Sequence, residues 1–160
     1  MHSRRPAFSP PNNPTTLTPC SPIARAWIFD VDGTLAVIGD RSPYDMRNVS
    51  IDTPNHPVVV AAQAFAAHPD VDALIVVSGR DETARRATEA WLTFNEIPFD
   101  RLLLRRTGDQ RADDIVKAEI YDAHIEPHFT VIGVVDDRRS VVEMWRSRGL
   151  VCFQVAEGNF

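Results

Sequence analysis

Apolar residues in this chain follow two rhythms. Short, mainly apolar runs fall at residues 26–31, 73–77, 101–104, 130–135 and 150–155, and they predict strands buried on both faces. Between them, at 58–67, 81–94, 113–124 and 139–147, apolar positions recur every three or four residues, which is the spacing of amphipathic helices. The punctuation agrees. Pro57 opens the first helix and His68-Pro69 stops it, Asp81 is a candidate cap for the second, and Gly149 terminates the last. Strands alternating with helices predict an α/β fold: a doubly wound parallel sheet with right-handed crossovers and helices on both faces. Ligands of such folds lie beyond the carboxyl ends of the strands, so the chemistry is to be sought there.

Residues 1–24 lack this rhythm. They hold Pro6, Pro10, Pro11, Pro14, Pro19 and Pro22, half of the 12 prolines, and such a stretch sustains neither helix nor ladder. The expected organisation is a proline-rich, disordered tail over 1–24 followed by one domain over 25–160, and 160 residues suit a single core. The formal net charge of −5 argues against a broad nucleic-acid coat and leaves room for a small basic groove. No apolar run is long enough to cross a membrane, and the start lacks the apolar segment of a secretory signal. Cys20 and Cys152 have neither disulfide-scaffold nor metal-ligand spacing. A cytoplasmic location is expected.

The strand ends are rich in polar chemistry. The first runs into Phe29-Asp30-Val31-Asp32-Gly33-Thr34, the second into Ser78-Gly79-Arg80, and the fourth into Asp136-Asp137, while Lys117 sits one turn into the helix at 113–124. Taken singly, Asp32-Gly33 is a turn, Asp136 a helix cap and Lys117 a solvated side chain. Together they line one rim of one small sheet. Clustered carboxylates repel unless a cation lies among them, and an all-oxygen donor set suits Mg²⁺ first. A magnesium ion beside a lysine, a hydroxyl and an arginine is a phosphate site.

The order Asp-x-Asp-Gly-Thr, Ser, Lys, Asp-Asp resembles the haloacid dehalogenase superfamily of phosphotransferases. Arg41-Ser42-Pro43-Tyr44-Asp45, the Gly-Asp-x-Arg-x-Asp-Asp segment from Gly108 and Val141-Val142-Glu143-Met144-Trp145 narrow the resemblance. They are similar to the 3′-phosphatase domain of phage-type polynucleotide kinase-phosphatase. That resemblance implies a Rossmann-like core, and it assigns roles. Asp30 is the nucleophile that forms an aspartyl-phosphate, and Asp32 is the general acid and base. Mg²⁺ is held by Asp30, the Asp32 main-chain carbonyl and Asp136. Ser78, Gly79, Lys117, Arg41 and Arg80 bind phosphate, and Asp113 and Asp137 orient the others.

The 22 residues between Thr34 and Pro57 hold no folded lid, so an open site is expected, able to admit a polymer end. Arg101, Arg105, Arg106 and Arg111 are candidates to touch its backbone. The expected activity is a Mg²⁺-dependent polynucleotide 3′-phosphatase in nucleic-acid repair, acting on 3′-phosphorylated DNA or RNA ends. No Gly-x-x-x-x-Gly-Lys-Ser/Thr segment occurs, so no kinase activity is expected. A separate kinase or ligase is then the natural partner, and self-association is compatible with the sequence. Two other readings share the scaffold: a small-molecule or nucleotide phosphomonoesterase, and a non-enzymatic receiver-like phosphoacceptor domain. In a receiver the acidic pair comes first and the phosphorylated aspartate stands alone, the reverse of the order here.

Overall fold

The computed structural model describes residues 23–37 and 52–158. The expected tail through residue 22, and Arg41, lie outside them.

β1 (Ala24–Phe29) is the spine of the molecule. It is followed by a short antiparallel pair, β2 (Ala36–Val37) and β3 (Thr53–Pro54). Then come α1 (His56–Ala66), β4 (Ala73–Asp81), a 3₁₀ turn and α2 (Arg85–Phe94), and β5 (Arg101–Arg105). After these run α3 (Asp113–Ile120), β6 (Phe129–Arg138), α4 (Arg139–Ser147) and β7 (Cys152–Gly158). The five long strands form one parallel sheet in the order β5-β4-β1-β6-β7. The chain winds outward from β1 through β4 to β5, then returns to β1's other side for β6 and β7. The reversal puts β1 and β6 side by side at the switch point, where doubly wound folds place their ligands.

Alternation along the strands sorts the core into two layers. Phe29, Leu74, Val76, Leu102 and Leu104 face Val59 and Ala62 of α1 and Trp91 and Leu92 of α2. Ile28, Ile75, Val77 and Val134 face Val141, Val142 and Trp145 of α4, with Tyr121 and Ile125 after α3. Each fully buried side chain of this size contributes about 1.5–3 kcal/mol. Trp145, with no exposed surface, packs edge-on against Tyr121, ring centres 5.7 Å apart.

Several boundaries differ from expectation. β1 ends at Phe29, so Asp30 and Val31 already lie beyond it. β4 and β6 continue past their apolar runs into the polar residues, with register shifts after Ser78 and after Asp136. Helix 113–124 divides into α3 and a five-residue π turn, Tyr121–Ile125. The last strand starts at Cys152, two residues later than expected. No helix of the described residues is long and apolar enough to cross a membrane.

Candidate active site

A tight loop at the end of β1 starts the site. Ala36 N–H donates to Val31 O and Gly33 N–H to Ala36 O, both at 2.8 Å. Gly33 turns the chain at φ 89°, and a Cβ there would sit 2.2 Å from Asp137 Oδ2. Glycine is therefore required twice over, by the backbone and by the carboxylate it must pass. The loop is tied to β6 through Asp30 N–H to Val135 O at 3.0 Å and Thr34 Oγ1 to Asp137 Oδ1 at 3.3 Å.

Asp30, Asp136 and Asp137 converge there, all buried, with one carboxylate oxygen from each lying within 4.8 Å of the others. Lys117 enters from α3 and donates to Asp30 Oδ1 at 2.6 Å and to Asp136 Oδ2 at 2.8 Å. Trp145 Nε1 reaches the same Asp136 oxygen at 3.3 Å, and the Asp137 and Arg138 N–H groups donate to Asp136 Oδ1 at 3.0 and 3.2 Å. Asp136 is thus held on every side.

Three carboxylates against one ammonium leave excess negative charge among buried side chains. The titration behaviour reflects it. Burial pushes Asp30 well above the usual carboxylate range; Lys117 opposes this, while Asp136 and Asp137 add to it. Burial, and then Asp136, push Asp137 up to about 6. Burial alone would lower Lys117, but Asp136 and Asp30 outweigh it and hold the ammonium firmly charged. A divalent cation among these oxygens would relieve the imbalance, so the donor set fits one. Asp32 contributes no carboxylate to this group.

Ser78 and Gly79 lie across the cleft in the bulged end of β4, lining the same cavity as Asp30 and Lys117. Arg80 N–H donates to Ser78 Oγ at 3.2 Å. A Cβ on Gly79 would fall 2.6 Å from Asp113 Oδ1, so β4 and the start of α3 touch through a missing side chain. Asp113 grips two arginines, Arg105 from β5 and Arg138 from the end of β6. Of the partners expected for it, Lys117 or an arginine, Asp113 contacts arginines.

The Arg80 guanidinium turns towards Asp32, donating from Nε to Oδ2 and from Nη2 to Oδ1, both at 2.8 Å. Its Nη2 also reaches Asp52 Oδ2 at 2.7 Å, and its Nη1 reaches Thr88 Oγ1 at 3.2 Å.

The expected basic patch does not form as one surface. Arg105 is buried and donates to Gly79 O, Asp109 O and Arg111 O besides Asp113. Arg111 pairs with Asp109 and Glu119, and Arg101 lies over the Phe129 ring, 4.8 Å from its centre. A larger cleft of about 590 Å³, beside β5 and α3, includes Arg85, Leu103 and Glu119 and none of the residues above that hold Asp30 or Asp32.

Sequence reasoning missed Arg105 and Arg138 as partners of Asp113, Trp145 as a partner of Asp136, and Asp52 and Thr88 behind Arg80. Arg138 had a signal, standing directly after Asp136-Asp137. Asp52 had none, because only the fold brings it near β4.

Comparison with known proteins agrees with this geometry. Residues 24–160 match the family described as the polynucleotide kinase PNKP phosphatase domain. A protein of Autographa californica nuclear polyhedrosis virus, named bifunctional polynucleotide kinase/RNA ligase, is 34% identical over 126 residues. The match covers 76% of this chain and 18% of the viral one. Two solved structures of the Pnkp1/Rnl/Hen1 complex, one described as an RNA repair complex, each contain a chain 36% identical to this one, with a TM-score of 0.83. They cover 88% and 92% of this chain, against 45% and 52% of theirs. The chain therefore spans about half of those solved relatives and a small part of the viral one. The HAD domain of effector protein Lem4 from Legionella pneumophila, 12% identical with a TM-score of 0.54 over 86% of this chain and 88% of its own, shares the fold. With its α/β core, and with Asp30, Ser78, Lys117 and Asp136 meeting at one switch point, the chain belongs to the family of polynucleotide kinase PNKP phosphatase domains, built on the HAD fold.

Proposed function

We propose that this domain is a Mg²⁺-dependent phosphatase that removes the 3′-phosphate from nucleic-acid ends, through an aspartyl-phosphate on Asp30. The observation that carries this is the buried Asp30 carboxylate, held by Lys117 beside Asp136 and Asp137. An anchored, buried carboxylate is placed to attack phosphorus. Asp30, Asp136 and the Asp32 main-chain carbonyl would hold the Mg²⁺, with Asp137 beside them. The bound ion supplies the positive charge that lets an anionic nucleophile meet an anionic ester.

In the first step an Asp30 oxygen bonds to phosphorus while the bond from phosphorus to the sugar oxygen breaks. Asp32 gives its proton to that departing oxygen. In the second step Asp32 takes a proton from water as the water oxygen attacks phosphorus, which frees Asp30 and releases phosphate. Ser78 Oγ already accepts from Arg80 N–H, so its own proton can point to a phosphoryl oxygen. The Gly79 main chain, Lys117 and Arg41 complete the grip on the equatorial oxygens, where transition-state charge is spread.

The substrate is proposed to be a DNA or RNA end, and the setting nucleic-acid end repair alongside a separate kinase or ligase. Relatives found in a Pnkp1/Rnl/Hen1 complex support that setting. The test is steady-state kinetics on matched 3′- and 5′-phosphorylated oligonucleotides, with Mg²⁺ and with chelator. We expect the 3′-end to be preferred by about a hundredfold or more, and activity to vanish without metal. Comparable rates on both ends would reduce the enzyme to a general phosphomonoesterase. Stable phosphorylation without turnover would make it a receiver-like phosphoacceptor.

A further inference from the structure

We propose that Asp52, acting through Arg80 and assisted by Thr88, is a positioning residue for the general acid Asp32. The proposal rests on the assignment of Asp32 above. It moves Arg80 from the phosphate, where the sequence placed it, to the acid.

Asp32 stands in the loop after β1, with 16% of its side chain exposed. That exposure suits a group that must meet a departing sugar oxygen, yet a short side chain on a loop is free to turn unless something fixes it. Arg80 fixes it with a bidentate fork, two bonds of 2.8 Å to its two carboxylate oxygens. The fork must itself be held, because a guanidinium turns about its last bonds. Asp52 supplies the hold: its Oδ2 lies 2.7 Å from the same Nη2 that binds Asp32. The Arg80 side chain has no exposed surface, and that of Asp52 only 4%. One cation thus lies between two carboxylates, one facing the cleft and one behind it. Asp32 and Arg80 line the cleft; Asp52 is absent from its wall.

α2 braces the arrangement from outside. Thr88 Oγ1 accepts from Arg80 Nη1 at 3.2 Å, and Trp91 Nε1 donates to the Asp52 carbonyl at 2.7 Å. Residues three apart on a helix share a face, so one turn of α2 holds both the arginine and the residue that orients it. Thr88 is fully buried and Trp91 nearly so. A lysine at position 80 could not join two carboxylates with this directionality.

The role predicts a dependence on the leaving group. An alkoxide such as a sugar oxygen departs poorly without a proton, whereas nitrophenolate departs readily unprotonated. The experiment compares the first-turnover rate of leaving-group release, and the KM, for a 3′-phosphorylated oligonucleotide and for p-nitrophenyl phosphate in Mg²⁺, because the later water step through Asp32 is common to both esters. The proteins are wild type, Asp32→Asn, Asp52→Asn, Thr88→Val and the Asp32→Asn/Asp52→Asn double variant.

We expect Asp52→Asn to lower the first-turnover rate on the oligonucleotide about tenfold more than on p-nitrophenyl phosphate, with KM changed less than about threefold. Thr88→Val should show the same bias at about threefold, and it decides the matter if Asp52→Asn fails to fold. The double variant should be no slower on the oligonucleotide than Asp32→Asn alone, because both changes remove one function. Equal losses on the two esters, or losses that multiply in the double variant, would overturn the proposal while leaving Asp32 as the acid. Equal losses from Asp32→Asn itself would overturn the assignment of the acid, and with it the proposal.

Discussion

Asp30 is the residue on which chemistry and stability pull hardest against each other. Burial and two neighbouring carboxylates disfavour its charged form, and Lys117 compensates only in part. The proposed nucleophile is therefore a cost to the metal-free fold. Asp30→Asn should abolish turnover and raise the melting temperature of the metal-free protein at neutral pH by roughly 2–4 °C per kcal/mol regained. Calorimetry in chelator, run beside the activity assay, checks both. A variant that loses activity and also melts lower would show that the Asp30–Lys117 pair is worth more than its like-charge neighbours cost. At this scale the sequence was informative about the buried acidic cluster and its lysine. Asp30, Lys117, Asp136 and Asp137 were legible because each stands at the end of an apolar run or one turn into an amphipathic helix. Arg105 was misread as a surface cation because loop composition says nothing of direction. In the fold it lies at the end of a buried strand and turns inward to the Gly79 carbonyl.

Among the elements, the junction of β4 with α3 is the tightest. Gly79 has no Cβ, and that gap lets Asp113 approach β4 while holding Arg105 and Arg138. Gly79→Ala would place a methyl group 2.6 Å from Asp113 Oδ1. It should cost about 1–3 kcal/mol of stability and displace the end of β4 proposed to bind phosphate. We expect kcat to drop about 10- to 100-fold in a protein that still folds, since sub-ångström placement governs this chemistry. Unchanged kcat would mean that the junction yields without moving Ser78. Most elements could be read from periodicity because the sheet is parallel and its central strands are apolar over most of their length. β2 and β3 escaped notice, since two-residue strands carry no period. The polar ends of β4 and β6 escaped because backbone pairing resumes past a bulge while the side-chain signal has already changed. The π turn after α3 left no mark, because its residues fit an ordinary helix equally well.

For the whole molecule, the acidic cluster sets the response to pH. The Asp137 carboxyl titrates near 6 in the folded protein, above the usual unfolded value of about 3.9, and Asp30 shifts the same way. Between those limits the folded state binds more protons than the unfolded one, so the metal-free protein becomes more stable as pH falls. Two units on Asp137 correspond to about 2–3 kcal/mol at most. Asp81 and Glu119 are shifted downward, so their contribution is lost only as pH falls below their unfolded values of about 3.9 and 4.3, beneath the range from pH 7 to pH 5. Melting temperature in chelator should rise from pH 7 to pH 5, and saturating Mg²⁺, which favours the ionised carboxylates, should flatten or reverse the slope. A flat profile in chelator would show that the cluster is already neutralised in another way. The strand order has a kinetic consequence as well. Lys117 meets Asp30 across 87 residues of chain, and Asp137 meets Thr34 across 103. Each such closure costs entropy before any contact rewards it, and folds rich in distant pairings form slowly. β1 and β4 alone do not assemble the acidic cluster, because Asp136 and Asp137 come from β6. Recovery of activity after dilution from denaturant therefore reports the pairing of β6 with β1, and it should lag behind the return of helical signal.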